Sequence, residues 1–356
     1  MAEIEQKTMA IYLFGDRNSE ISALIGDPGF QELVRELFAN GRAQVPPIPS
    51  RAADAAVTCG LLEKEGDVLS EGPRLVVIPA SAEVDSPSLM RPSLASYVGI
   101  AAEVASELRR VYERTAASRR FGWPQVSHAI VAGMFLDLAM GNEVYGSGQI
   151  LRRPVGDTVV WAFEGISARN AYGVQWTAGP QRTFFAQLWH RKVRRGHVRM
   201  TSALVSLLAE VALGSSGSLS AEELLYLRHL GLLRKSGSSF RVEVPVFGPD
   251  DSENLLPILV EGGQRLVADA IVPALDSLAY HPWWRERYRQ DRYRHAAVRL
   301  VLEYGIDRVI LSKTLEPFPE QKDLPVEWGR WLWIEPEGNL TLMPNILSRE
   351  GETAST

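Results

Sequence analysis

The chain has a single cysteine, Cys59, among 356 residues. That excludes an intramolecular disulfide and a cysteine-rich zinc site, and it fits a reducing compartment. Cys59 sits in the apolar run AAVTCGLL, the setting of an inert buried thiol, and no role is assigned to it. No uninterrupted apolar run approaches the roughly 20 residues that span a bilayer. The start, MAEIEQKTMAIYLFGDR, lacks the basic segment, apolar core and cleavage site of a secretory signal. These absences predict a soluble, cytoplasmic protein with no membrane partner. Catalytic devices are missing as well: there is no GxSxG, P-loop, HExxH, GxGxxG after a strand, or spaced carboxylate pair. No catalytic residue, cofactor or metal ligand is expected.

An excess of positive charge is also lacking. With 38 Lys and Arg against 43 Asp and Glu, the net charge is −5, which excludes a polycation that coats nucleic acid by charge alone. The distribution is uneven, however. Acidic residues crowd the N-terminus and the loop GPDDSEN, while basic residues gather at Arg109 to Arg120, Arg191 to Arg199 and Arg285 to Arg299. Local basic surfaces can coexist with an acidic total.

What is present is an internal echo. GLLEKEGDVL, from Gly60, and GLLRKSGSSF, from Gly231, share a Gly-Leu-Leu turn, a charged pair and a later glycine in register. At an offset of 166, Pro79 falls on Pro245, Asp85-Ser86 on Asp251-Ser252 and Leu89-Met90 on Leu255-Leu256; at 167, His128 falls on His295. WAFEG from Trp161 and WIEPEG from Trp333 close the two copies. Common order and near-constant spacing predict a tandem duplication. The first unit is placed at 18–166 and the second at 198–347, with a packed connector at 167–197 and a disordered tail at 348–356. The connector is too apolar for a flexible linker.

Each unit opens on the same local grammar. In the second, RMTSALVSLLAEVALG has helical apolar spacing, and Ser220 with Glu223 forms a capping box for the next helix. Leu224, Leu227, Leu230 and Leu233 line one face of that helix, Gly231 marks its exit, and RKSGSSFRVEVPVF reads as a β-hairpin. The first unit repeats this in FQELVRELFANG, SRAADAAVTCGLLEK, the turn EGD and the strand RLVVIP, with PPIP forcing an extended approach.

Over about 50 residues in each unit, at about 20–80 and 200–248, this pattern resembles the winged-helix domains of bacterial regulators similar to the MarR and PadR families. The resemblance implies that the helices Arg51 to Cys59 and Ala221 to Leu230 read the major groove. It implies DNA contacts for Arg51 and Arg228 on those helices, and for Lys64, Arg74, Arg234, Lys235 and Arg241 around the wings, where cations meet phosphates. The wing cations read equally well as ordinary solvated residues.

After each wing a long helix is expected. Leu94, Tyr97, Val98, Ala101, Val104, Ala105, Leu108, Val111 and Tyr112 form one apolar stripe; Leu259, Leu266, Val267, Ala270, Ile271, Leu275 and Leu278 form the other, with a kink at Pro273. In winged-helix dimers such a helix joins subunits, so the chain is expected as a monomeric pseudo-dimer or a homodimer. HAIVAGMFLDLAMG and HAAVRLVLEYG read as short buried helices, followed by strands in TVVWAF, RVIL and RWLWI that would form a small α+β subdomain in each unit. The expected fold is therefore α+β: a winged-helix segment, a long helix and a small α+β subdomain, duplicated about a pseudo-two-fold.

His128 and His295 open equivalent helices but have no second ligand at metal spacing, so a buried histidine bonded to a neighbouring carbonyl accounts for each. Among nine tryptophans, Trp161 and Trp333 recur in both units. Tryptophans serve as core anchors, yet a pocket holding these two indoles and the two histidines would suit a flat hydrophobic or aromatic effector. The sequence expectation is a DNA-binding transcriptional regulator, not an enzyme, with duplex DNA as partner. An adaptor that uses winged helices for protein contacts is the alternative, favoured by the acidic total and by Glu222 and Glu223 on the reading helix. A ligand-binding enzyme with a site between the units is the third.

Overall fold

The computed structural model describes residues 9–14, 19–46, 50–80, 82, 86–146, 158–164, 172–190, 198, 200–214, 220–237, 239–315 and 329–342. The expected tail at 348–356 and most of the basic run Arg191 to Arg199 lie outside them. In chain order the elements begin with β1 (Met9–Phe14), α1 (Ser19–Ile25), α2 (Pro28–Asn40), β2 (Ala43–Gln44), α3 (Arg51–Thr58), β3 (Leu62–Glu65), β4 (Val68–Glu71) and β5 (Leu75–Ile78). Then come α4 (Ser86–Leu89), α5 (Arg91–Tyr112), α6 (Trp123–Ser127), a π-helical segment (His128–Ala139), α7 (Met140–Gly146), β6 (Val159–Glu164), β7 (Tyr172–Gly179) and β8 (Thr183–His190). The chain continues through α8 (Ser202–Ala212), α9 (Ala221–His229), β9 (Leu233–Ser236), β10 (Ser239–Val242), β11 (Val246–Phe247) and α10 (Pro249–Leu266). A second π segment (Val267–Ile271), α11 (Val272–Ala279), α12 (Pro282–Arg287), α13 (Asp291–Leu311) and β12 (Arg330–Ile334) complete the mixed α+β set. Among the described residues no helix is long and apolar enough to cross a membrane.

These elements sort into two compact units that are discontinuous in sequence. The first takes Met1–Leu94, Gly148–Ala168 and Val272–Val301; the second takes Ala95–Ser147, Arg169–Ile271 and Leu302–Thr356. The units do not follow the boundaries expected at 18–166 and 198–347. Residues 95–147 group with the later sheet, and residues 272–301 with the earlier one.

In the first unit, α2 starts where Asp27 accepts the N–H groups of Gly29 and Phe30 at 2.7 and 3.2 Å, with Pro28 at the position where no donor is lost. Phe30, Leu33, Val34 and Leu37 recur at helical spacing and are buried. Each contributes roughly 1.5–3 kcal/mol by leaving water. They pack with Ala52, Ala53 and Ala56 of α3, Leu62 and Leu69 of the hairpin, and Leu75, Val77, Val160 and Ala162 of the sheet. That sheet has the order β1-β6-β5: β6 runs antiparallel to β1, with Tyr12 opposite Trp161, and parallel to β5, with Val76 opposite Trp161. Every residue of β6 is buried, as expected for a strand covered on both faces.

Within the same unit, α12 and α13 bind the chain around the hairpin exit. The Trp284 indole donates to the Ala82 carbonyl at 3.3 Å, Arg292 donates to the carbonyls of Gly72 and Leu75, and the Tyr293 hydroxyl donates to Glu71. The hairpin itself differs from expectation. RLVVIP is not its second strand: β4 pairs with β3, β2 adds a third strand beside β4, and Leu75–Ile78 joins the other sheet. Gly72 and Pro73 intervene, and Pro73 has no N–H with which to continue the ladder.

In the second unit the sheet order is β11-β12-β8-β7, with β12 antiparallel to β8 and parallel to β11; Trp333 lies opposite Phe184 on one side and Phe247 on the other. The residues expected as a packed connector supply β7 and β8, a hairpin that turns through Gln181 and Arg182, both at positive φ. The core takes Phe185 and Leu332 from the sheet, Leu204, Val205 and Leu208 from α8, Leu227 from α9, and Leu233 and Val242 from β9 and β10. The π segment is buried apart from Asp137, whose carboxylate accepts the Val174 N–H at 2.7 Å. Gly262 and Gly263 of α10 let that segment approach: a Cβ on Gly262 would lie 3.0 Å from Phe135 and Val104.

Two further expectations are corrected. RVIL is the end of helix α13, not a strand, because the 21-residue helix continues through it. No separate α+β subdomain exists among the described residues; β6 and β12 are the middle strands of the main sheets. Before Pro273, where a kink is expected, the helix passes through the π segment Val267–Ile271. A proline clashes with the carbonyl four residues before it, and a wide turn there relieves that clash.

Candidate nucleic-acid interface

The expected DNA contacts fall on two helix-and-hairpin pieces, one in each unit. In the first unit Ser50 caps α3 by accepting the Ala53 N–H at 3.3 Å. The helix buries Ala52, Ala53 and Ala56 and leaves Arg51, Asp54 and Thr58 exposed, so its outer face carries one cation beside one anion. Gly60 follows at φ 71°, with the Leu61 N–H bonded to the Ala56 carbonyl at 2.9 Å. In the hairpin Glu63 lies opposite Ser70, Lys64 opposite Leu69 and Glu65 opposite Val68. Lys64 is exposed and Arg74 half-buried, but the exposed neighbours Glu63, Glu65 and Asp67 make this hairpin acidic.

In the second unit the capping box at α9 is formed in both directions: Ser220 Oγ accepts the Glu223 N–H at 3.2 Å and Glu223 accepts the Ser220 N–H at 3.3 Å. Glu223 is thus turned back to the helix start, leaving Glu222 as the exposed acid of the first turn. Leu227 is the buried contact of α9, with Leu224 and Leu230 half-buried against the same core. Leu225, Arg228 and His229 face solvent, Leu225 at 65% exposure. Gly231 follows at φ 70°, with the Leu232 N–H bonded to the Leu227 carbonyl at 2.9 Å.

The second hairpin is basic. Arg234, Lys235 and Arg241 are all exposed, and the register sets Arg234 directly opposite Arg241. Arg241 pairs with Glu243 at 2.9 Å. A residue of the basic run Arg109 to Arg120, not among the expected DNA contacts, joins them: Arg120, at the end of the turn after α5, donates to the Val242 carbonyl at 2.8 Å and lies 3.6 Å from Glu243. Its guanidinium stands 5.0 Å from the Phe121 ring centre. Burial, then the positive charge of Arg241, lowers the Arg120 pKa, with Glu243 opposing both.

The residues expected to line an effector pocket lie in two different units. Trp161 and His295 belong to the first and Trp333 and His128 to the second, and all four are buried. Trp333 packs on Phe184 and Phe247 at ring separations of 6.3 and 5.8 Å. Each indole is therefore a core anchor of its sheet. Among the described residues no group of His, Cys, Asp or Glu is placed to hold a metal ion. No family model matches the chain, and no curated protein and no solved structure matches it.

Proposed function

We propose that the chain is a DNA-binding transcriptional regulator built by tandem duplication of a winged-helix unit, with α3 and α9 as the reading helices and the hairpins β3-β4 and β9-β10 as wings. The observation that carries this reading is the recurrence of the helix, glycine and hairpin at a shift of 171 residues. Gly60 and Gly231 share a left-handed backbone at φ 71° and 70°, and Gly66 and Gly237 share φ 62° in the hairpin turns. Serines cap both helices. Beyond the hairpins, Trp161 and Trp333 each stand between one antiparallel and one parallel neighbour. Ser86 and Ser252, both fully buried, each donate a hydroxyl to a carbonyl just upstream.

Binding of the full-length chain to bulk duplex DNA, measured as salt is varied, tests the proposal. Affinity is expected to fall linearly on a log–log plot, because neutralising each phosphate releases condensed counterions. Affinity that does not rise as salt falls overturns it. Control by a small hydrophobic or aromatic effector belongs to the same proposal, although Trp161 and Trp333 are interior. Repeating the titration with indole or benzoate present tests that part, and unchanged affinity at every concentration removes it. The adaptor reading draws on the acidic first hairpin and the exposed Leu213 and Leu225; a chain that ignores DNA at low salt favours it.

A further inference from the structure

We infer that the two wings are not equivalent: the second grips the phosphate backbone of duplex DNA through Arg234, Arg241 and Arg120, and the first makes no such grip. The inference rests on the winged-helix reading and adds to it which half meets the nucleic acid. Residues directly opposite on an antiparallel ladder share a face, with Cβ atoms about 4.5–5.5 Å apart, and like charges there are destabilising. The register gives that relation to Arg234 and Arg241. Glu243 pairs with Arg241 and Arg120, so two guanidinium groups share one carboxylate. The Arg234 side chain makes no hydrogen bond or ion pair among the described residues. Arg120 is held in place by the Val242 carbonyl and the Phe121 ring, so docking an anion on it orders little that is not already ordered. A chain of phosphates is the ligand that relieves such a repulsion along an extended hairpin.

The first wing offers the opposite. At the places matching Arg234 and Arg241 it carries Glu63 and Ser70, flanked by Glu65 and Asp67. In that unit the arginine beside the hairpin exit, Arg292, is committed to the carbonyls of Gly72 and Leu75. The grip on the DNA backbone is therefore one-sided.

The test uses the full chain on one fixed mixed-sequence duplex between about 50 and 200 mM salt, followed by fluorescence anisotropy. Replacing two phosphate contacts in Arg234→Ser/Arg241→Ser is expected to reduce the log–log slope by about 1.8, so that affinity falls about twelvefold less across that range. Arg234→Lys/Arg241→Lys keeps the charge and should keep the slope. Lys64→Ser/Arg74→Ser, in the first unit, is expected to leave it unchanged. Equal losses in the two serine variants, or a loss confined to Lys64→Ser/Arg74→Ser, overturn the inference and leave the regulator reading standing. Salt-independent or absent binding by the unaltered chain overturns that reading and the inference with it.

Discussion

Tyr293 is buried, and its hydroxyl donates to Glu71. Burial first, and the Glu71 carboxylate second, push its phenol up from 10.0 to about 12. In the alkaline range the folded state then holds a proton that the unfolded chain releases, so the associated stability is complete below about pH 10 and is lost as pH rises towards 12. Urea unfolding between pH 9 and 12 is expected to show that decline, and Tyr293→Phe to flatten it; an identical slope in the variant would mean that the proton is released elsewhere. Some residues of this kind were readable in advance. Ser220 and Glu223 stand three apart at the head of a helical run, and their capping box needs nothing from the rest of the chain. The place of Arg120 beside the second hairpin was not readable, since its partners Val242 and Glu243 are more than a hundred residues away and only the fold brings them together.

At the level of elements, the helix and glycine of both pieces and the hairpin of the second were legible because each rests on local chemistry: a serine cap, an apolar face, and a glycine where the backbone turns left-handed. The left-handed region costs an L-residue roughly 1–2 kcal/mol. Gly60→Ala and Gly231→Ala are each expected to lower stability by about that amount in chemical denaturation, with the unfolding slope unchanged. Neutral behaviour at either position would show that the bend relaxes there. The strands after the hairpins were misread for a physical reason. LVVI and VF have the composition of a ladder continuing from the wing, but which strand they pair with is a long-range choice, and they run parallel to β6 and β12 instead. In QWTAGPQRTFFAQLWH the apolar content is plain, whereas the turn at Gln181 and Arg182 lacks the glycine or asparagine that advertises a positive φ.

At the scale of the whole molecule, residue correspondences can suggest a repeat, but they cannot say which helices pack on which sheet. Residues 95–147 complete the unit that holds β12, and residues 272–301 complete the unit that holds β6. Neither half of the sequence therefore contains all of either unit. If the chain is divided between residues 190 and 198, the two pieces made separately are expected to show no cooperative thermal transition by circular dichroism. Mixed or co-expressed, they are expected to recover one. Independent cooperative unfolding of the first piece alone would contradict this.

The interleaving also sets a schedule for the ribosome. The first sheet's early strands leave the exit tunnel long before α12 and the start of α13 exist, a delay of roughly 200 residues, or on the order of 10 to 40 seconds at ordinary elongation rates. During that interval Glu71, Gly72, Leu75 and Ala82 lack the Tyr293, Arg292 and Trp284 side chains that bind them, so the nascent chain is a natural client for holding chaperones. Silent codon changes that slow the stretch before residue 272 should lower soluble yield without altering a single side chain.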